Sequence, residues 1–107
     1  MQDFQSLCQM RRSYRKYTDQ PVEQEKLDYI IRCALMSPAG KRMNPWHFVV
    51  IKNEAILRQL AGCRTYGSGM FDTAMAGIVV AADTSVIDTW QCDAAIAAQN
   101  IWLAAAD

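Results

Sequence analysis

The pattern of hydrophobic and polar positions predicts four helices and two strands in this chain of 107 residues. The clearest helix follows Pro21, where apolar residues recur at the spacing i, i+3, i+4, i+7 and i+8, which places them on one helix face. This predicted buried stripe consists of Leu27, Ile30, Ile31, Ala34 and Leu35. Ser37-Pro38 ends the helix, because the residue before a proline avoids helical dihedral angles. A shorter helix is predicted over residues 3–10.

Two short runs rich in β-branched residues predict the strands. Trp46–Ile51, with the sequence WHFVVI, is typical of a buried strand, and Ile78–Ala82 is a second apolar run. An isolated two-stranded sheet is marginally stable in water. We therefore expect further strands from another part of the chain or from another subunit.

Two more helices are predicted in the second half of the chain. One covers Glu54–Ala61, between an N-cap at Asn53 and a stop at Gly62. The other covers about residues 89–107, is rich in alanine and is surrounded almost completely by apolar residues, which favours burial in a core or an interface. Its pattern is still helical at the last residue, without the Gly, Pro or basic turn that usually ends a helix. We therefore expect one domain, residues 1–107, that is truncated at its C-terminus.

Composition and charge exclude several classes of protein. The chain is 51% hydrophobic and 21% charged, which is typical of a folded globular domain rather than a disordered one. Its formal net charge is zero, so it lacks the basic footprint of a nucleic-acid binder. No apolar run is long enough to span a membrane, and the polar start, Met1-Gln-Asp-Phe, does not resemble a signal peptide.

The cysteine and histidine content argues against a metal site. The four cysteines contain no C-x-x-C pair, and His47 is the single histidine. We expect reduced thiols and a cytoplasmic location.

The first segment that could carry chemistry is Arg11-Arg12-Ser13-Tyr14-Arg15. In an extended chain Arg11, Ser13 and Arg15 point to the same side, because side chains alternate. Two guanidinium groups and a hydroxyl on one side form a fork that suits a phosphate. The alternative is a solvated basic turn, which is the commoner role of a charge run.

The second segment runs from Ser37 to Trp46. Pro38 stiffens the backbone, and Gly40 leaves it open because it has no side chain, so that main-chain atoms can approach a flat ligand. Arg42 and Asn44 could donate hydrogen bonds to that ligand. The alternative is an ordinary helix-to-strand loop that ends in a core tryptophan.

Together these segments resemble the signatures of the nitroreductase family of flavoenzymes. Arg11, Ser13 and Arg15 match the first signature, Arg-x-Ser-x-Arg/Lys. The second, Ser-Pro-Ser-x-x-Asn-x-Gln-Pro-Trp-x-Phe, is matched at Ser37, Pro38, Pro45, Trp46 and Phe48. Ala39 and Gly40 replace residues that are commonly small and hydroxylic, Arg42 replaces the usual Asn and Asn44 the usual Gln. The run that starts at Asp93-Ala-Ala-Ile is similar to the family's long central helix.

The resemblance implies a fold and an activity. The fold is α+β, a three-layer α-β-α sandwich with a central mixed or antiparallel sheet, incomplete in this chain. The implied cofactor is flavin mononucleotide (FMN), bound without a covalent bond at the interface of a homodimer. NADH or NADPH would reduce the flavin, and a nitroaromatic, a quinone or a similar small-molecule acceptor would then reoxidise it in a ping-pong cycle. No side chain is needed as a general acid or base, so the resemblance implies no catalytic residue.

The resemblance also implies which residues contact the cofactor. Arg11 would bind the phosphate, Arg12 and Ser13 the phosphate and ribityl chain, and Arg15 the ribityl or pyrimidine edge. From the partner subunit, the second segment would contribute Pro38, Ala39, Gly40 and Arg42, and Asn44 is a further expected cofactor contact.

Three other functions stay open at this point. The chain could be a specialised relative, such as a reductive dehalogenase or a flavin-fragmenting enzyme. It could be a non-catalytic or truncated flavoprotein homologue that acts as a binding or dimerisation module. It could also be a helical interaction domain in which the motifs occur by chance.

Overall fold

The computed structural model describes residues 3–107, and the predicted order of helices and strands is confirmed. The elements are α1 (Phe4–Met10), α2 (Gln24–Leu35), β1 (Trp46–Ile51), α3 (Glu54–Ala61), β2 (Gly77–Ala82) and α4 (Trp90–Ala106). Two short 3₁₀ turns, Gly40–Arg42 and Gly69–Asp72, lie in the connections. Within these described residues, every helix is too short or too polar to cross a membrane.

The chain divides into two compact units. Among the described residues, the first unit contains residues 3–12, Gln24–Phe48 and Val80–Asp107, and the second contains Ser13–Glu23 and Val49–Val79. The second candidate segment and α4 both belong to the first unit, whereas the first candidate segment has residues in each.

The first unit is built around α4, against which both α1 and α2 pack. Leu27, Ile30 and Ala34 of the predicted stripe are buried, as expected from their spacing. The buried face of α4 contains Ala97 and Ala104, whose small side chains let the helices approach closely.

Two predictions of burial in this unit are wrong. Leu35 belongs to the predicted buried stripe but is 55% exposed, since it is the last residue of α2. The helix α4 is not covered on all sides, because Ile96 and Trp102 are each 41% exposed. Apolar residues surround the helix almost completely, but α1 and α2 cover only part of it among the described residues.

The second unit is organised by α3, which packs against the Gly69–Asp72 turn. Asn53 caps α3 as predicted, and its side chain accepts a hydrogen bond from the Ile56 N–H at 3.1 Å. Leu57 forms the centre of the unit at 1% exposure. The Arg58 guanidinium donates to the carbonyls of Phe71 and Ala74, both at 2.8 Å, and so fastens the following segment to the helix.

The strands β1 and β2 form a two-stranded sheet in the described chain. The Asp83 N–H, just after β2, donates to the Pro45 carbonyl, just before β1, at 2.8 Å. The strands are therefore antiparallel. The prediction that β1 is buried is wrong except at Trp46, since Val49 is 51% exposed. A run of apolar residues predicts burial on both faces, but a sheet of two strands covers neither face by itself.

Candidate functional site

The loop between α2 and β1 contains a concentration of backbone strain. Its φ angles reach 51° at Lys41, 57° at Arg42 and 47° at Asn44. In the described part of the chain these are the three non-glycine residues with positive φ. Such a residue costs about 1–3 kcal/mol and persists only where surrounding structure holds it. Contacts from other elements must therefore fix this loop, which we call the 37–45 loop.

The N-terminal turn of α4 supplies one of these contacts. The Gly40 N–H donates to Asp93 Oδ1 at 3.1 Å, and Thr89 Oγ1 donates to Asp93 Oδ2 at 3.0 Å. Asp93 is only 4% exposed, although it is ionisable. The two donors replace part of the water that this carboxylate loses on burial. The middle of the loop is thus bonded to the start of α4.

A close approach accompanies this hydrogen bond. A Cβ atom at Gly40 would lie 2.3 Å from Thr89 Oγ1, well inside the closest distance that two such atoms adopt. Glycine is therefore required here for space, independently of its backbone freedom.

A second contact holds the beginning of the loop. Asn100 Nδ2 donates to Ser37 Oγ at 2.8 Å, and Ser37 is 6% exposed. Asp93 and Asn100 are seven residues apart in α4, about two helical turns, so they lie on the same face. Sequence reasoning assigned neither residue a role. The available signal was their polarity in a helix that is otherwise rich in alanine.

The loop presents most of its predicted cofactor-binding residues at the surface. Pro38, Arg42 and Asn44 are exposed, whereas Ala39 and Gly40 are half-buried. The loop therefore combines a backbone fixed from behind by α4 with side chains open to a ligand.

The first candidate segment is also attached to α4, at Trp102. The Arg11 guanidinium lies over the Trp102 ring, 4.1 Å from its centroid. The indole N–H of Trp102 donates to the Arg12 carbonyl at 3.3 Å. The Arg12 guanidinium turns back to the carbonyls of Gln9 and Arg11, at the end of α1. The Arg12 guanidinium is thus bonded to backbone carbonyls, whereas the Arg11 guanidinium lies over an aromatic ring.

Ser13 and Arg15 belong to the second unit, where both are exposed. They lie in a segment without regular secondary structure. The segment is fixed two residues later, where the Tyr17 N–H donates to Thr73 Oγ1 at 2.9 Å.

The two attachment points on α4 are well separated. Asp93 and Trp102 are nine residues apart, about 13 Å along the helix axis. Within the first unit, the 37–45 loop and Arg11 therefore do not converge on one point. Two surface cavities, of about 410 and 200 Å³, are lined by none of the predicted cofactor-binding residues. Those residues lie outside both cavities, and most of them are exposed, whereas Arg11, Ala39 and Gly40 are half-buried.

Comparison with known proteins identifies the family. The sequence model of the Nitroreductase family matches residues 8–63, which include both candidate segments. The chain is 33% identical, over 109 aligned positions, to a protein of Archaeoglobus fulgidus assigned as an NADH dehydrogenase/NAD(P)H nitroreductase, a match that covers 98% of this chain and 62% of the relative. A protein of Methanothermobacter thermautotrophicus with the same assignment is 39% identical over 98 positions, covering 89% of this chain and 51% of the relative.

A solved structure shares the fold. The FMN-dependent nitroreductase from Clostridium difficile R20291 superposes with a TM-score of 0.91 at 42% identity, over 94% of this chain and 58% of that one. The chain thus spans between half and two thirds of the length of these three proteins. The predicted fold class, an incomplete nitroreductase-like α+β fold, is confirmed, and a chance occurrence of the motifs is excluded. The chain belongs to the nitroreductase family.

Proposed function

We propose that this chain is part of an FMN-dependent oxidoreductase that takes hydride from NADH or NADPH and passes electrons to a small conjugated acceptor. The observation that carries the proposal is the family match over residues 8–63, because it includes both segments with cofactor-binding chemistry. The C. difficile protein that it resembles is FMN-dependent. We place the activity in the cytoplasm and treat residues 1–107 as belonging to a single domain.

The donor set of the first segment fits the phosphate of FMN. A guanidinium offers several N–H donors in a fixed plane, and charge-assisted hydrogen bonds to phosphate are stronger than neutral ones. The Arg11 guanidinium lies over the Trp102 ring, and in this proposal its N–H edge would face the phosphate. Ser13 adds a hydroxyl, and Arg12 contributes chiefly through its backbone, since its guanidinium is engaged at the end of α1.

The donor set of the 37–45 loop fits a flat polar ring. The side chains at Pro38, Ala39 and Gly40 are small, so the backbone there can approach the ring closely. Side-chain donors are added by Arg42 and Asn44. Both replacements of the usual family residues, Arg42 and Asn44, retain N–H donors. By resemblance, this loop would contact an FMN bound mainly by the other subunit of a homodimer. Exposure of Arg42 and Asn44 supports that arrangement.

When bound, FMN supplies the redox chemistry, accepting hydride from the nicotinamide and returning electrons to the acceptor. The protein contributes orientation and electrostatics. Arg15 would favour the reduced, anionic form of the cofactor through its positive charge. No protein side chain is proposed as a general acid or base, so the protons that reduction of the acceptor consumes would come from solvent. By resemblance, donor and acceptor would use the same site in turn. Nitroaromatics and quinones are the proposed acceptor classes.

The visible absorbance spectrum provides the first test. The purified protein is incubated with FMN, desalted and scanned, and its oxidation of NADH and NADPH is then measured with a nitroaromatic and with a quinone. Retained flavin bands and acceptor-dependent oxidation are expected. A folded, colourless protein after this treatment would instead support the alternative, a non-catalytic homologue that acts as a binding or dimerisation module.

A further inference from the structure

We propose that Asp93 is a positioning residue for the cofactor: its buried carboxylate holds the 37–45 loop in the strained conformation that contacts FMN. Asp93 itself would not touch the flavin. This inference rests on the proposed function, and it assigns a role to a residue outside both candidate segments.

The burial of Asp93 calls for a specific partner. At 4% exposure the side chain has lost most of its contact with water, which is unfavourable for a charged group unless hydrogen bonds replace that contact. One carboxylate oxygen accepts from Gly40 N–H and the other from Thr89 Oγ1. The location at the first turn of a helix of 17 residues adds the favourable field of the helix N-terminus.

The position of its partner explains why Asp93 would control the loop. Gly40 immediately precedes Lys41 and Arg42, and both of these have left-handed dihedral angles. A loop with three such residues has a lower-energy conformation available unless something outside it opposes relaxation. The bond from Gly40 to Asp93 is a link of this kind, because it joins residues 53 positions apart in the sequence.

Thr89 determines which carboxylate oxygen of Asp93 faces the loop. Its hydroxyl occupies one carboxylate oxygen, so the other is left to face the loop. The same hydroxyl occupies the space that a Cβ at Gly40 would need, so the loop can reach Asp93 only with glycine at this position. The contacts among Gly40, Thr89 and Asp93 thus set the distance between the loop and α4.

The test compares Asp93→Ala and Asp93→Asn with the wild-type protein. Asn retains one acceptor oxygen for the Gly40 N–H, and the Thr89 hydroxyl can reverse its role toward the amide. A matched control is Asp3→Ala, since Asp3 also accepts one backbone N–H and one hydroxyl, both from Ser6, at 2.9 and 3.0 Å. That carboxylate caps α1, outside the 37–45 loop and α4.

Two measurements are made on each variant. Hydrogen–deuterium exchange, in protein without flavin, reports the protection of the peptide that contains Gly40. The quenching of flavin fluorescence gives the dissociation constant of FMN. Asp93→Ala is expected to raise loop exchange and to raise the dissociation constant by roughly 10-fold, the effect of losing one charge-assisted hydrogen bond. Asp93→Asn should stay within about threefold of wild type, and Asp3→Ala should change neither quantity, although it lowers thermal stability.

The outcomes separate this inference from the proposed function. Wild-type protein that binds no FMN would overturn the proposed function and this inference with it. If wild-type protein binds FMN and Asp93→Ala binds it equally well, only the positioning role is overturned. Unchanged loop exchange in Asp93→Ala would likewise overturn it. If Asp93→Ala does not fold, the comparison uses Thr89→Ala, which removes the second hydrogen bond and should raise loop exchange to a smaller degree. Equal exchange in Thr89→Ala and wild type would then count against the role.

Discussion

The Arg11 guanidinium lies over the Trp102 ring, with its Cζ atom 4.1 Å from the ring centroid, although the residues are separated by most of the chain. Trp102 also fixes the next residue, through the hydrogen bond from its indole N–H to the Arg12 carbonyl. The Trp102 side chain therefore contacts both the guanidinium of Arg11 and the backbone of Arg12, in the segment proposed to bind phosphate.

The role of Trp102 can be separated from general packing by two substitutions. Trp102→Phe keeps an aromatic face under Arg11 but removes the N–H donor, whereas Trp102→Ala removes both. A cation–π contact at an exposed site is worth about 0.5–1 kcal/mol. We expect Trp102→Ala to weaken FMN binding by about two- to fivefold on this basis, with Trp102→Phe in between. Isothermal titration with FMN would measure this series, and equal affinity in all three proteins would show that Trp102 does not order Arg11 for the ligand.

Arg11 itself should matter more than its tryptophan neighbour. Arg11→Ala removes a charged donor, and we expect it to reduce the free energy of FMN binding by about 1.5–3 kcal/mol, the scale of a hydrogen bond to a charged group. Arg11→Lys should have an intermediate effect, because lysine keeps the charge but loses the planar fork.

The control for Arg11 is Arg32→Ala, which removes an exposed guanidinium from the last turn of α2 in the same unit. It should leave FMN affinity unchanged. The phosphate role of Arg11 would be refuted by a variant that binds FMN as tightly as the wild-type protein does.

Much of this fold follows from local sequence, whereas the supports of the site do not. The stripe at Leu27 and Ile30 predicted α2, and Asn53 predicted the start of α3, because periodicity and capping act over one or two turns. The contacts that fix the candidate segments join residues 53, 63 and 90 positions apart. Such pairings depend on how α4 packs, and no local pattern in the sequence specifies them.

The left-handed residues illustrate the same limit. Local preference places glycine or asparagine in that conformation, so Asn44 is an unsurprising occupant, but Lys41 and Arg42 are not. Their conformation is explained only when the contacts of Gly40 and Ser37 with α4 are known. The helix end at Ser37-Pro38 and the strand pattern from Trp46 located the loop in the sequence, and the tertiary contacts determine its shape.

Tyr29 should ionise only at unusually high pH. Its hydroxyl donates to Asp107 at 2.7 Å, and this bond, with a further contribution from Cys33, raises the pKa of Tyr29 from 10.0 to about 12. The pKa of Tyr29 in the folded protein lies above its ordinary value. The contribution of this hydrogen bond to the free energy of unfolding is therefore fully present below pH 10 and is lost as the pH rises toward 12.

Ultraviolet absorbance of tyrosinate during a base titration would measure the ionisation of Tyr29, with Tyr29→Phe identifying its contribution by difference. Asp107→Asn should lower the midpoint, since it replaces the charged acceptor with a neutral one. If Asp107→Asn and wild type give the same midpoint, the hydrogen bond is not the cause of the shift.

The close approach of Gly40 to Thr89 gives a prediction with an internal rescue. Gly40→Ala places a Cβ 2.3 Å from Thr89 Oγ1, so the loop must move away from α4 and the bond to Asp93 must lengthen. Since strained packing typically costs 1–3 kcal/mol, we expect a loss of stability of about that size in thermal unfolding, together with weaker FMN binding. Gly69→Ala is the matched control, because nothing lies within 4 Å of a Cβ at that position.

The double variant Gly40→Ala, Thr89→Ala removes the clashing oxygen and leaves the next atom, the residue 89 Cβ, at 3.4 Å. The two substitutions should therefore be less damaging together than the sum of their separate effects. Strict additivity in both stability and FMN affinity would mean that Gly40 is required for a reason other than its contact with Thr89.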